Sequence, residues 1–483
     1  ANAILFGLGS PAGIINNQLK AANLRKSSLT LQSSYGRFDS HREVVDVNQV
    51  VAKGTLGVRV IALNKAENFQ QKPAFENDRR LYATATWEPR VIRDGLTQFQ
   101  VNYEGGNTNS NRPRPTPPQD GLSVWYNVLN KVVVDPTNPS AVTNNPFLFA
   151  HLGSAGRWFG QVGAVFTDPN SGAQGGNGVP PFMISRGGTT FTQWFAVGAY
   201  TAQGSSPYFF LNQQFAPAGQ AYTGLWRYQE LRDPSVFDYR NILLDGPNKQ
   251  ELSDFRALNA TFRQTFLRDR IGFELSYSRE NHRRNNSGMF GYDAYTIFVG
   301  IQSKLVNGAP NPNFGRPYVA SDSIGNNFMD TTREAFRATA YGTIDLRQQS
   351  GFLRHFGKHV FTGNYTDQSN SNFYRTINGY SYGLELNAYA NNPTATTYPA
   401  YAAIHYLGSS IAGLSSPAGA NIQGITANHI PQASGNAIVF DARINQMVTA
   451  PVTVITASER DISKLYAGAS KNKNVTKSES AIW

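Results

Sequence analysis

Strict alternation of apolar and polar residues constrains this chain more than any other feature. Positions 98–104 read Gln98, Phe99, Gln100, Val101, Asn102, Tyr103 and Glu104. The segment from Ile271 to Ser278 repeats the pattern. Successive side chains of a β-strand point to opposite faces, so each segment predicts a strand with one apolar and one polar face.

Further segments with strand character extend the series to about ten strands, which predicts an all-β fold. They are Ser28 to Tyr35, Arg42 to Val50, Leu56 to Lys65, Arg79 to Trp87, Phe255 to Phe266, Glu334 to Leu346, Val360 to Asp367 and about Asp461 to Ser470. No apolar run is long enough for a transmembrane helix, which needs roughly 18 residues or more. Transmembrane strands need only about 9 to 11 residues, so a membrane barrel stays open as an interpretation.

The connections between these segments alternate in length. Short ones cover 51–55, 88–95, 267–270 and 347–359, and long ones cover 66–78, 105–254, 279–333 and 368–460. Outer-membrane barrels place short periplasmic turns and long extracellular loops at opposite ends of their strands. The alternating connection lengths therefore predict a transmembrane antiparallel β-barrel. The alternation of residues along the strand assigns Phe273, Leu275 and Tyr277 to lipid and Glu274, Ser276 and Ser278 to the lumen.

Composition excludes several other classes of protein. The chain has no cysteine, which removes disulfide scaffolds, thiol catalysis and cysteine metal sites. Only 16% of its residues are charged, and the net charge of +11 comes from dispersed residues. Because basic residues are not clustered on one face or segment, we expect no nucleic-acid partner.

The first residues carry a family resemblance. An apolar stretch at 4–6 precedes a turn containing Gly7, Gly9, Pro11 and Gly13, and a second short strand would follow at 14–19. This arrangement resembles the end of the plug domain of TonB-dependent outer-membrane receptors. A dinucleotide-binding reading of Gly7, Gly9 and Ala12 needs a following helix and an acidic residue about 20 positions on. The first acidic residue is Asp39, which is too late.

The resemblance continues in three further motifs. Arg37-Phe38-Asp39 is similar to the first barrel hairpin, and Asp78-Arg79-Arg80 to the fourth strand. The motif 311–317, Asn-Pro-Asn-Phe-Gly-Arg-Pro, resembles an extracellular-loop motif of one branch of the family. The family has a barrel of about 22 strands around a plug. The resemblance thus implies a fragment, with the end of the plug at 1–22 and part of the barrel at 23–483.

What the resemblance implies about function is import across the outer membrane of a Gram-negative cell. The expected partners are outer-membrane lipid, the TonB complex, reached through a segment absent from this sequence, and a small-molecule ligand such as a ferric chelate. An unplugged porin-type channel and a surface β-rich adhesion protein are the alternatives. Internal repeats, which would favour adhesion, are not seen.

The longest connection, 105–254, is rich in rigid aromatic and basic residues that could hold an anionic ligand. The candidate ligand contacts are Trp125, Tyr126, Arg157, Trp158, Arg186, Trp194, Tyr208, Trp226 and Arg227. Gly7, Gly9, Pro11 and Gly13 have a structural role in the plug-end turn. The alternative for the aromatic residues is that they form the core of the loop itself, because a loop of this length must bury side chains to be ordered.

We expect no catalytic residues, metal or cofactor. His355 and His359 have the i, i+4 spacing of a helical metal pair, but they flank a turn and lack further ligands nearby in the sequence. No G-x-S-x-G motif is present, although a Ser/His/Asp triad is recognised by geometry and not by order along the chain.

Overall fold

The computed structural model describes residues 19–127, 230–288, 296–301, 310–320, 326–347, 351–389, 404–428, 433–441, 446–456 and 461–483. It also describes a few isolated residues and five short strands between 164 and 197. Within these residues, no helix is both long and apolar enough to cross a membrane.

A ten-stranded antiparallel sheet dominates the molecule, and its strand order follows the chain order. The strands are β1 (Ser28–Tyr35), β2 (His41–Ala52), β3 (Leu56–Asn68), β4 (Phe75–Trp87), β5 (Thr97–Asn111), β6 (Lys249–Phe266), β7 (Ile271–Gly288), β8 (Asn326–Asp345), β9 (Lys358–Ile377) and β10 (Tyr466–Ile482). Because consecutive strands are antiparallel neighbours, alternate connections lie at opposite ends of the sheet. The predicted all-β fold is confirmed.

Each predicted strand is present, and several are longer than the sequence suggested. β7 was expected to end at Ser278 and continues to Gly288, and β9 continues to Ile377. Most of these extensions point toward the long connections, whereas β10 extends past Ser470 to Ile482, away from the long connection that precedes it. The added segments are mostly polar on both faces, as in Arg279–Ser287, so no alternation marks them. Their ladder hydrogen bonds to neighbouring strands define them instead.

The sheet has two chemically different faces near the short connections. Directly paired residues on one face form a polar row: Thr84, Asn102, Asn259 and Ser278. On the opposite face they form an apolar row: Trp87, Phe99, Phe262, Leu275, Ala338 and Tyr365. We call these the polar face and the apolar face.

Rings of the apolar face contact one another across four strands. Trp87 stacks on Phe99 with ring centroids 5.3 Å apart, and Phe99 stacks on Phe262 at 4.6 Å. Phe262 in turn contacts Phe273 edge to face at 5.6 Å. Trp87 and Phe99 remain exposed in spite of these contacts. An exposed aromatic band of this kind is typical of a membrane interface.

The apolar face becomes charged closer to the long connections. On β6 this face carries Leu258, Ala260, Phe262 and Phe266, interrupted only by Gln264, and the span of about nine residues matches the length of a transmembrane strand. Beyond it, Arg283 donates to Asp330 at 3.0 Å, and Arg375 also pairs with Asp330. The change in polarity limits the band that could contact hydrocarbon.

Smaller elements lie in the long connections and in the turns. The strands are Gln119–Asp120, Ala164–Thr167, Gln174–Gly175, Phe182–Arg186, Thr189–Gln193, Ala196–Val197, Thr296–Gly300, Pro317–Ala320, Ser381–Tyr382, Ile404–Tyr406, Gly435–Asp441, Gln446–Val452 and Val454–Ile455. The helical elements are an α-helix at Leu122–Asn127 and 3₁₀ turns at Arg37–Asp39, Gly351–Phe356, Leu384–Ala388 and Ile462–Leu465.

Three long connections, 112–248, 289–325 and 378–465, share one hydrophobic core. Its buried residues include Leu122, Trp125, Phe237, Val299, Val319, Leu386, Ile411 and Val439. We call the described parts of these connections the loop cap. A shared core explains how loops of such length are ordered, because each buries its apolar side chains against the other two.

Candidate functional site

The polar face of the sheet contacts the segment that precedes β1. The side chain of Asn48 on β2 is almost fully buried and accepts from the Asn23 backbone N–H at 2.8 Å. Its amide donates to the carbonyls of Asn23 at 3.0 Å and Lys26 at 2.9 Å. One asparagine thereby satisfies three backbone groups of a segment that has no strand partner there.

A second contact lies further along the same face. Arg59 binds Asp46 through two parallel hydrogen bonds of 2.8 and 2.7 Å. Lys20 approaches Asp46 at 3.4 Å, and the Tyr82 hydroxyl donates to the Lys20 carbonyl at 2.6 Å. Residues 20–27 therefore run along the polar face.

The predicted plug-end residues Gly7, Gly9, Pro11 and Gly13 lie outside the described residues, and so does Ala12 of the dinucleotide motif. Residues 19–22 are the described part of the predicted plug segment. Within it, Lys20 contacts the polar face, and Ala22 is buried.

The motif 311–317 connects two loops of the cap. Gly315 donates from its N–H to the Gly300 carbonyl at 2.7 Å and accepts from the Ile411 N–H at 2.9 Å. Its φ of +72° lies in the left-handed region, which favours glycine. The Arg316 guanidinium donates to the Gly408 carbonyl at 2.7 Å and lies over the Tyr406 ring at 4.6 Å. The motif thus joins the second and third long connections.

Trp125 and Tyr126 join the first long connection to this junction. The Trp125 ring meets Phe314 edge to face at 6.4 Å and Tyr126 at 5.4 Å. Trp125 has no exposed surface, while the Tyr126 hydroxyl donates to the Ile411 carbonyl. In this arrangement Trp125 has no surface for a ligand, and the self-packing alternative from the sequence accounts for its position.

The side chains of the other predicted ligand contacts lie outside the described part of the structure. Arg186 ends the strand Phe182–Arg186, of which only the backbone is described. Arg157, Trp158, Trp194, Tyr208, Trp226 and Arg227 lie outside the described residues. Their role in ligand binding stays a prediction.

A buried ion pair anchors the cap to the end of the sheet. Arg114 donates two hydrogen bonds, of 2.6 and 2.7 Å, to the Asp245 carboxylate, and both side chains are buried. Gln71, in the connection between β3 and β4, accepts from the Arg114 N–H at 2.7 Å. The Gln71 amide donates to the Tyr239 carbonyl. These residues cannot be predicted from the sequence, since a buried arginine has no local sequence pattern and its partner lies 131 positions away.

The cap also buries ionisable aromatic and imidazole groups. Tyr318 stacks on Phe298, with ring centroids 5.4 Å apart, and burial raises the pKa of Tyr318 well above its usual range. Burial lowers the pKa of His405, and the nearby Arg316 lowers it further. Both shifts disfavour charge, so these groups pack as neutral side chains at neutral pH.

Two pairs of side chains could be considered as parts of a catalytic or metal site. Ser253 Oγ lies 2.9 Å from His282 Nε2, on neighbouring strands. In the described part of the chain no carboxylate hydrogen-bonds to that imidazole, so the pair lacks the third group of a triad. His355 belongs to a 3₁₀ turn, whereas His359 on β9 accepts from the Trp483 indole at 2.9 Å. The described residues contain no group of three or more potential metal ligands.

Comparisons with known proteins give structural similarity but no sequence match. No family model matches the sequence. No curated protein matches it either. Among solved structures, the chain is similar to the ferric-catecholate import receptor Fiu of E. coli K12 in its open form, with 12% identity and a TM-score of 0.25. The similarity covers 95% of this chain and 53% of that one, so the chain spans about half the length of the receptor.

Proposed function

We propose that the protein is a TonB-dependent receptor of the Gram-negative outer membrane that imports a small ligand such as a ferric chelate. The observation that carries the proposal is a two-faced antiparallel sheet whose three longest connections lie at one end and share a single core. A receptor needs this asymmetry, because it captures ligand on one side of the membrane and releases it on the other.

The apolar face supports a position in the membrane. Its exposed side chains include Val47, Val60, Phe99 and Leu275, which would be unfavourable in water over such an extended area. The mostly apolar span of β6 from Leu258 to Phe266 has the length of a transmembrane strand. The charged pairs of Asp330 begin beyond it, where headgroups and water would replace hydrocarbon.

The polar face supports a plugged lumen. Residues 20–27 bind to this face through Asn48 and Asp46, and the family resemblance identifies the preceding residues as the end of a plug. An open porin would leave these polar groups to water. The loop cap would then be extracellular, with ligand entering between cap and plug, and energy would come from the TonB complex.

Transport measurements separate this proposal from the porin alternative. The full-length protein would be expressed in cells lacking other ferric-chelate receptors, and uptake of radioiron chelates would be compared with and without a functional TonB complex. We expect saturable uptake that is lost without TonB. Solute flux that is unsaturable and independent of TonB would favour an open channel.

A further inference from the structure

We propose that a cavity at the loop end of the sheet binds a small organic anion with an aromatic or apolar body. The cavity has a volume of about 630 Å³, within the range of small-molecule sites. Three segments line it: the connection 36–40, residues 67–71, and the base of the longest loop at 113–114 and 239–240.

The walls of the cavity are held by hydrogen bonds that do not involve a ligand. Asn68 donates from its N–H to Ser40 Oγ at 2.9 Å, which joins the first two segments. Gln71 and the Arg114–Asp245 pair join the second segment to the third. The site is therefore preformed, which reduces the ordering needed on binding.

Aromatic side chains supply the apolar surface. Phe38, Phe69 and Tyr239 all line the cavity, and Phe38 is 41% exposed although it is a large apolar residue. The backbone of Phe38 is left-handed, with φ 60° and ψ 33°, a conformation that is unfavourable for a bulky side chain. Residues with strained backbone conformations cluster at active sites and ligand-binding sites.

The charges around the cavity favour an anion. Arg37 and Arg240 are exposed, and neither guanidinium has a hydrogen-bond or ion-pair partner among the described residues. Lys72 Nζ lies 5.6 Å from the centroid of the Phe38 ring. Glu67 is the one acidic residue of the lining, and Lys65 pairs with it. Free guanidinium groups bind carboxylate, sulfonate or phosphate through paired hydrogen bonds.

Anion binding at this cavity does not depend on which compartment the cavity faces. The cavity lies outside the buried core of the loop cap, and none of the predicted ligand contacts lines it. Absence of anion binding at the cavity would leave the transport proposal unchanged. Uptake that did not depend on TonB would leave the proposal of an anion site unchanged.

The test uses the full-length protein in lipid nanodiscs, with naphthalene-2-sulfonate as the anionic probe and 2-naphthalenemethanol as its neutral counterpart. Equilibrium dialysis against protein-free nanodiscs corrects for partition into lipid. We expect saturable binding of one sulfonate, on the order of tenfold tighter than binding of the alcohol. Absence of saturable binding, or equal affinity for the two probes, would overturn the proposal.

Variants assign the binding to this cavity. Replacing Arg37 and Arg240 together with Ala should weaken sulfonate binding on the order of tenfold, because both free cations are lost. The matched control replaces the exposed Arg90 and Arg93, at the opposite end of the sheet, and should leave affinity unchanged. Phe38→Gly, which removes the ring and the backbone strain, should weaken binding without lowering stability. Wild-type affinity in both cavity variants would show that the probe binds elsewhere.

Discussion

Gly315 is a residue of the loop cap that tolerates little change. It has a positive φ, and a Cβ there would lie 2.8 Å from the Ala412 Cβ. Gly315→Ala should therefore destabilise the cap by about 1 to 3 kcal/mol from backbone strain. Hydrogen exchange of the Ile411 and Gly300 amides would measure the loss as faster local opening.

Gly413 provides the control for this substitution. It lies two residues from Ile411 in the same loop, its φ is not positive, and a Cβ there would meet no atom within 4 Å. Gly413→Ala should leave exchange unchanged. If both variants exchanged at the wild-type rate, the junction at 311–317 would not hold the cap together.

The buried ion pair gives a second residue-scale prediction. Arg114→Ala leaves the Asp245 carboxylate buried without its bidentate partner, and we expect a loss of about 3 to 5 kcal/mol in the stability of the cap base. Replacing both residues together, with Met at 114 and Leu at 245, should be much less destabilising because no charge remains buried. Limited proteolysis within 231–247 would report both effects.

Leu275 tests the polarity of the sheet. Leu275→Arg should destabilise the protein in a bilayer by about 2 to 4 kcal/mol if its depth is near the midplane. Ser278→Arg is the control on the polar face. The directly opposite residues on the neighbouring strands are Asn259 and Ala335, so the new arginine would not face another cation. Urea unfolding in lipid vesicles would measure the difference. Equal losses for the two variants would contradict the assignment of the faces.

At the scale of the elements, the connections define which end of the strands faces the outside of the cell. Val91 lies in the short connection between β4 and β5. Ser416 lies in the long connection that follows β9, and both residues are exposed. The chain has no native cysteine, so Val91→Cys and Ser416→Cys can be labelled singly. In intact cells expressing the full-length protein, an impermeant thiol reagent should label position 416 and not position 91. Equal labelling would reject the proposed sidedness.

The strands differ along their length in how well the sequence predicts them. Alternation in β6 and β7 follows directly from the side-chain periodicity of strands, so these elements are visible in sequence. The extension of β7 beyond Ser278 is polar on both faces and depends on ladder bonds to β6 and β8. Local sequence contains no information on those partners.

For the whole molecule, the shared core predicts that the three long connections fold as one unit. Deleting residues 120–240 removes Leu122, Trp125, Leu231 and Phe237 from that core. The remaining cap loops should then become sensitive to protease, and ligand uptake should be lost. β5 and β6 should still pair, because their ladder lies outside the deleted range. If the deletion variant inserted normally and bound its ligand with unchanged affinity, the ligand-binding surface would lie outside the cap.

The sequence by itself determined the all-β class, the presence of the ten strands though not their ends, and the segregation of long connections at one end of the sheet. These features follow from period-2 alternation and from antiparallel neighbours, both of which are local. Tertiary structure alone decided that Trp125 is a core residue, that Arg114 meets Asp245, and that Arg37 and Arg240 flank one cavity. Such contacts join residues far apart in the chain, and their energies depend on burial and geometry that no local pattern encodes.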